Sequence, residues 1–178
     1  MFMVLYRWRI AVIVVLLCAG GCSTVGKSVP GINNFAEVEK DVLYRGAQPS
    51  ERGIEHLADQ GVKTVVNLRA DPLPWEKDAV TKAGMNYVWI PSLAEKTDPA
   101  VVRKFLATVR ERNQPVFVHC RVGRDRTGLN CAAYRIVEQG WSRPKAIREL
   151  HEHGYHWAWF PGIERYLKSF DEEAFKGG

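Results

Sequence analysis

No run of apolar residues in this chain reaches the roughly 18 that a membrane-spanning helix needs. Cysteine is scarce as well: four in 178 residues cannot form the disulfide framework of a small secreted scaffold. Charge of one sign is nearly missing, since 25 basic residues face 20 acidic ones and leave a formal +5. Nucleic-acid binding requires a strong basic stripe, so no nucleic-acid partner is expected. The compositional bias of disordered, collagenous or coiled-coil chains is absent too. What is present is a hydrophobic share of 46%, with six Trp and six Tyr, enough to fill a core. The length fits a single domain.

The first residues read as an address. Arg7 and Arg9 form a positive segment, Ile10 to Ala19 a short apolar one, and Ala19-Gly20-Gly21 supplies small residues before a cleavage point. About ten apolar residues cannot cross a hydrocarbon core roughly 30 Å thick, which excludes a membrane span. Cys22 directly after Gly20-Gly21 resembles the lipobox of bacterial lipoproteins. That resemblance implies lipidation of Cys22. Ser23 behind it, in place of Asp, resembles the outer-membrane sorting pattern of Gram-negative lipoproteins, so the expected location is the periplasmic side of that membrane. Cleavage removes Arg7 and Arg9 and no acid, lowering the formal charge from +5 to +3. The predicted organisation is a signal peptide over 1–21, lipidated Cys22 with a flexible tether over 22–34, and one domain over 35–178. As a coil, residues 23–34 would reach on the order of 20 Å.

Gly21-Cys-Ser-Thr-Val-Gly-Lys-Ser28 also matches the nucleotide-binding P-loop letter for letter. A working P-loop needs a strand before it and a helix after it. Here a signal segment precedes and Val-Pro-Gly-Ile-Asn-Asn follows, so the match is accidental.

Beyond residue 35 strand and helix patterns alternate. Val42–Tyr44, the β-branched run Val62–Leu68, Met85–Ile90 stopped by Pro91, and Val116–Val118 read as strands. Helices are predicted from the Ser50 cap to Gly61, over Trp75–Ala83, from Asp98-Pro99 to about Arg112, and over Thr127–Gln139, Arg143–His153 and Gly162–Phe170. The fold class is α/β, a three-layer sandwich with a mainly parallel central sheet flanked by helices.

The chemistry concentrates between a strand and a helix, in His119-Cys120-Arg121-Val122-Gly123-Arg124-Asp125-Arg126-Thr127-Gly128. The pattern H-C-x-x-G-x-x-R-[ST]-G resembles the signature of the protein tyrosine phosphatase superfamily. Five residues between Cys120 and Arg126 let the backbone of Arg121, Val122, Gly123, Arg124 and Asp125 curl around an anion at a helix N-terminus. The same field favours the thiolate of Cys120 as nucleophile. Arg126 offers a planar fork for two phosphate oxygens. Thr127 has a hydroxyl to assist the leaving thiolate, and His119 is expected to brace the loop through its backbone. Tyr44-Arg45-Gly46-Ala47-Gln48-Pro49-Ser50 and Gly61 to Arg69 further resemble the compact dual-specificity phosphatases, nearest their atypical bacterial, plant and fungal branch. That resemblance spans about residues 35–170. It implies a cysteinyl-phosphate mechanism without metal or cofactor.

The proton donor is the least legible part. Asp125 inside the loop ranks first, because myotubularin-type lipid phosphatases are thought to use an Asp at the matching place. Asp98 ranks second, although a helix cap explains it equally well. Glu95 has no such duty and no motif. The expected substrate is a phosphorylated protein of phosphotyrosine or phosphoserine/threonine type. Phosphoinositides or inositol polyphosphates are the alternative, because Arg121 and Arg124 add cations to the loop. A non-catalytic phosphate-binding module is the reading from another class. Arg45 and Arg69 could line the mouth, unless Arg45 pairs with a nearby acid, and Cys131 is expected to be buried in its helix. Trp157, Trp159 and Phe160 could touch lipid, although packing against the core is the commoner use of such aromatics. His151 and His153 stand two apart on a helix and face different ways, which argues against a metal.

Overall fold

A computed structural model describes residues 26–111 and 114–176. Six strands form one sheet: β1 (Lys27–Val29), β2 (Ile32–Glu39), β3 (Leu43–Gly46), β4 (Thr64–Arg69), β5 (Asn86–Ser92) and β6 (Val116–His119). Their order is β1-β2-β3-β6-β4-β5. The pairings β3–β6, β6–β4 and β4–β5 are parallel, while β1 and β2 add an antiparallel edge. Strands β4 and β6 are buried along their whole length. That is why neither shows a clean alternation of apolar and polar residues.

Period-two alternation still divides the two faces. Val65 and Phe117 pack with Ile54 and Leu57 of α1 (Glu51–Asp59) and Val80 of α2 (Glu76–Lys82). Val66, Val116 and Val118 point the other way, into a larger core built by α3 (Pro99–Glu111), α4 (Asp125–Val137), α5 (Arg143–Glu152) and α6 (Pro161–Lys168). The predicted three-layer sandwich is therefore the observed fold. On α3, Val102, Phe105, Leu106 and Val109 form the buried stripe. Helix α4 has almost no wet side; of its thirteen residues only Arg126 is not buried.

Three sequence expectations need correcting. The predicted tether over 22–34 is too long, because residues 27–34 lie in β1, the turn after it, and β2. The short β1 lacks a hydrophobic pattern and forms by pairing with β2. Lys27 and Ser28 of the P-loop look-alike stand in this strand, while the predicted signal peptide and Cys22 fall outside the described residues. Strand β5 runs through Pro91 to Ser92, as an edge strand allows. Finally, a 3₁₀ turn over Glu172–Phe175 packs Phe175 onto Phe170. The Ser50 cap is as predicted: its hydroxyl accepts from Gly53 N at 3.3 Å.

Candidate active site

Cys120 follows the last residue of β6, and α4 begins five residues later, so loop 121–124 lies at the C-terminal end of the parallel strands. Ligand crevices in open α/β sheets form at this end. Gly123 makes the turn with φ +70, and a Cβ there would sit 2.4 Å from the Gly46 carbonyl carbon. The loop carbonyls are drawn into the protein. Gly123 O accepts from Arg45 Nη2 at 2.9 Å and Asn34 Nδ2 at 3.0 Å, and Arg121 O from Gln48 N at 3.3 Å. Among the described residues no backbone N–H of residues 121–126 has an acceptor. Carbonyls tied back and amides left over, at the start of a helix, make an anion cradle.

A buried polar network braces the loop from behind. His119 Nε2 lies 2.8 Å from Glu76 Oε1, and both side chains are fully buried. His119 Nδ1 lies 3.2 Å from Cys120 O, the backbone contact expected of it. Glu76 also accepts from Gln48 Nε2 at 2.7 Å and Asn67 Nδ2 at 2.6 Å. Burial pushes the Glu76 carboxyl up, but the contacts with His119, Gln48 and Asn67 outweigh it and hold the group below its ordinary value. Nothing in the sequence marks Glu76, which reads as an ordinary acid in the first turn of a surface helix.

Cys120, Asp125 and Arg126 line a cavity of about 530 Å³. Arg126 donates from Nη1 to Ser92 O at 3.0 Å, and its Nε and Nη2 bond to no described residue. One arm is thus fixed and the other can grip an anion. Thr127 Oγ1 is fully buried without a hydrogen-bond partner among the described residues. Cys131 is also buried, and burial drives its thiol up to about 11, so it stays protonated and inert. Among the described residues no group of three or more His, Cys, Asp or Glu could hold a metal ion.

The proton-donor candidates separate by geometry. Asp98 is exposed and accepts from Ala100 N at 2.9 Å as a cap of α3. It does not line the cavity with Cys120. Asp125 does, yet both its oxygens are engaged: Oδ1 accepts from His156 N and Oδ2 meets His156 Nδ1, each at 2.9 Å. Arg124 Nη1 lies 3.1 Å from His156 Nε2, and a guanidinium has no lone pair to offer. Arg124 therefore donates, and His156 carries its proton on Nδ1, toward Asp125. Asp71 also lines the cavity, but the bonds from Arg69 hold its carboxyl below the usual range. Glu95, on the loop between β5 and α3, lines the same cavity, is exposed, and has no hydrogen-bond or ion-pair partner among the described residues.

Other expectations shift with the tertiary structure. Arg45 is not at the mouth; it is 1% exposed beneath Gly123. Arg69 is buried and tied to Asp71 and Gln48. Arg124 is spent on His156, leaving Arg121 as the additional cation of the cavity. Trp157 and Trp159 are not packed against the core but are 64% and 74% exposed. Trp159 stacks on His156 with centroids 5.2 Å apart, and with Leu93, Val122 and Phe160 it forms an apolar wall beside Cys120.

A cysteine at the end of a central parallel strand, an amide-lined loop and an arginine in the first turn of the following helix define the cysteine-dependent phosphatase class of site. The chain belongs to the dual-specificity/protein tyrosine phosphatase family: residues 25–156 match the family model described as "DSP-PTPase phosphatase fused to NAD+ Kinase". It is similar to the dual specificity protein phosphatase TpbA of Pseudomonas aeruginosa, with 37% identity over 129 residues, 71% of this chain and 56% of that protein. It thus spans little more than half the length of that relative. A crystal structure of a TpbA variant in complex with phosphotyrosine superimposes with a TM-score of 0.71 at 28% identity, covering 85% of this chain and 99% of that one. The inositol diphosphatase DSP3 of Arabidopsis thaliana is 27% identical over 133 residues, 70% of this chain and 64% of that protein.

Proposed function

We propose that this chain is a membrane-anchored phosphatase that hydrolyses phosphate monoesters through a cysteinyl-phosphate, with a preference for aryl esters such as phosphotyrosine. The observation that carries the preference is the apolar wall of Leu93, Val122, Trp159 and Phe160 rising beside Cys120 and Arg126. An aromatic leaving group buries its ring there, whereas an inositol polyphosphate would need cations in those positions. Aromatic contacts of this kind contribute about 0.5–1.5 kcal/mol beyond area burial. The complex of a TpbA variant with phosphotyrosine supports the same choice.

In this reading the phosphoryl group sits on the amides of residues 121–126, with Arg126 clamping two oxygens. The Cys120 thiolate attacks phosphorus and the P–O bond breaks. Its electron pair goes to the leaving oxygen, which takes the proton of the Glu95 carboxyl. Water then attacks the phosphocysteine and gives its proton to the Glu95 carboxylate. The P–S bond breaks, its electron pair returns to Cys120, and inorganic phosphate leaves. Asp125 and His156 position Arg124 and Trp159 rather than carry the proton. Export and anchoring rest on the lipobox at Cys22.

The test is phosphate release from a phosphotyrosine peptide, a phosphoinositide and inositol hexakisphosphate, with Cys120→Ser as control. The reading expects the peptide to be preferred and Cys120→Ser to lose roughly 10³-fold or more. Preference for either inositol compound would return Arg121 to the substrate and remove the aryl assignment. Equal rates for Cys120→Ser and wild type on all three would leave only a phosphate-binding module.

A further inference from the structure

We propose that the rim of the catalytic mouth docks on a phospholipid bilayer, so that the site opens at the level of the lipid headgroups. This rests on the reading of Cys22 as a lipid anchor. Four large apolar side chains stand exposed around the mouth: Leu93 at 56%, Val122 at 42%, Trp157 at 64% and Trp159 at 74%. Three of them, Leu93, Val122 and Trp159, line the cavity of Cys120, and the fourth, Trp157, stands two residues from Trp159. Neither indole N–H of Trp157 or Trp159 bonds to a described residue. The other exposed tryptophan, Trp89, donates its indole N–H to Arg69 O at 2.8 Å. Indoles with an apolar body and an unused N–H are the side chains that suit the boundary between headgroups and acyl chains.

The start of the domain lies on the same side. Gly26 and Ser28 line a cavity together with Arg121, Val122 and Arg124, and Arg121 and Val122 also line the cavity of Cys120. Gly26 is four residue steps from Cys22, which span at most about 14 Å when fully extended. Because residues 27–34 are taken up by the sheet, no longer tether remains to let the domain swing away. An acylated Cys22 therefore brings the Gly26 end, and with it the catalytic loop, against the membrane surface. Arg121 is exposed there and meets headgroup phosphates, with Glu152 the acid in the same cavity. A single acyl attachment with a second, interfacial contact holds a protein far better than either alone.

The test uses the full chain, processed in a Gram-negative host and reconstituted in phosphatidylcholine vesicles that carry bromine on the upper acyl carbons. Tryptophan emission is compared with that in unbrominated vesicles. Wild type is expected to be quenched, and Trp157→Phe/Trp159→Phe to lose most of that quenching. Trp141→Phe is expected to keep it, because Trp141 lies beyond the far end of α4, about 20 Å from the loop at 1.5 Å per residue. Mass spectrometry of the same sample reads acylation of Cys22. An acylated wild type that is not quenched, or whose quenching survives the double substitution, overturns the docking and leaves the anchor standing. An unacylated Cys22 overturns the anchor, and the docking with it.

Discussion

Arg124 donates to His156 Nε2 at 3.1 Å, and that contact fixes the imidazole proton on Nδ1, 2.9 Å from Asp125 Oδ2. Asp125 also accepts from His156 N, so its carboxylate is occupied on both oxygens. Each oxygen of Asp125 is held by an N–H of His156, which turns the carboxylate toward that residue. On the proposed assignment Asp125 is a positioning group and Glu95 carries the proton. Glu95→Gln is expected to lower kcat on phosphotyrosine by about 10²-fold. An ester of a strongly acidic phenol, whose leaving oxygen needs no proton, should show little change. Asp125→Asn is expected to reduce kcat/KM on both esters alike. Comparing the two esters across the two variants decides the assignment.

The Glu76–His119 pair gives a prediction about stability. Both groups are fully buried, and removing Glu76 takes the partner from His119 and an acceptor from Gln48 and Asn67. Breaking a buried pair costs about 3–5 kcal/mol, so Glu76→Ala should lower the unfolding free energy by an amount of that order. The folded Glu76 value lies below its ordinary one, so the unfolded state binds more protons in acid. Its contribution is present above the ordinary carboxylate value and fades as pH falls through the folded one. Denaturant titrations should show wild type and variant converging below about pH 4, where carboxylates protonate.

His153 gives the opposite type of group the same direction of pH effect. Burial, with the nearby Arg45 charge, lowers it from 6.5 to about 4. The unfolded chain therefore takes up a proton between those values while the folded one does not. Stability is full above pH 6.5 and declines as pH falls toward 4. His153→Leu should flatten that decline, measured as the denaturant midpoint from pH 7 to pH 4.5. Because Asn34 Nδ2 bridges His153 O and Gly123 O, acid should also loosen the loop.

Gly123 sets the shape of the cradle. Its φ of +70 costs about 1–2 kcal/mol for a residue with a Cβ, and that atom would press on the Gly46 carbonyl. Gly123→Ala should abolish most activity while the circular dichroism of the fold is retained. Activity within twofold of wild type would show that the loop tolerates another path.

The ten residues from His119 to Gly128 disclosed the class of site because everything they need is local. A strand end, a tight loop and a helix start lie in one contiguous stretch, so spacing alone brings Cys120 and Arg126 to one anion. The core strands were legible for a similar reason: burial on both faces favours β-branched and other apolar residues, as at Val65, Val66 and Leu68 and at Val116, Phe117 and Val118. Tertiary structure alone decided the rest. Asn34 was assigned to a tether, yet it grips Gly123 from 89 positions away. His156 closes on Asp125 across 31 positions and holds its carboxylate. Glu76 looks like any acid on a surface helix until α2 presses it beneath His119. Trp157 and Trp159 carry a core-like composition but face outward, because the turn between α5 and α6 leaves them at the mouth. A motif records what backbone neighbours must do for one another. The partners that tune it come from distant segments, and their side chains acquire a role only when packing sets the distance.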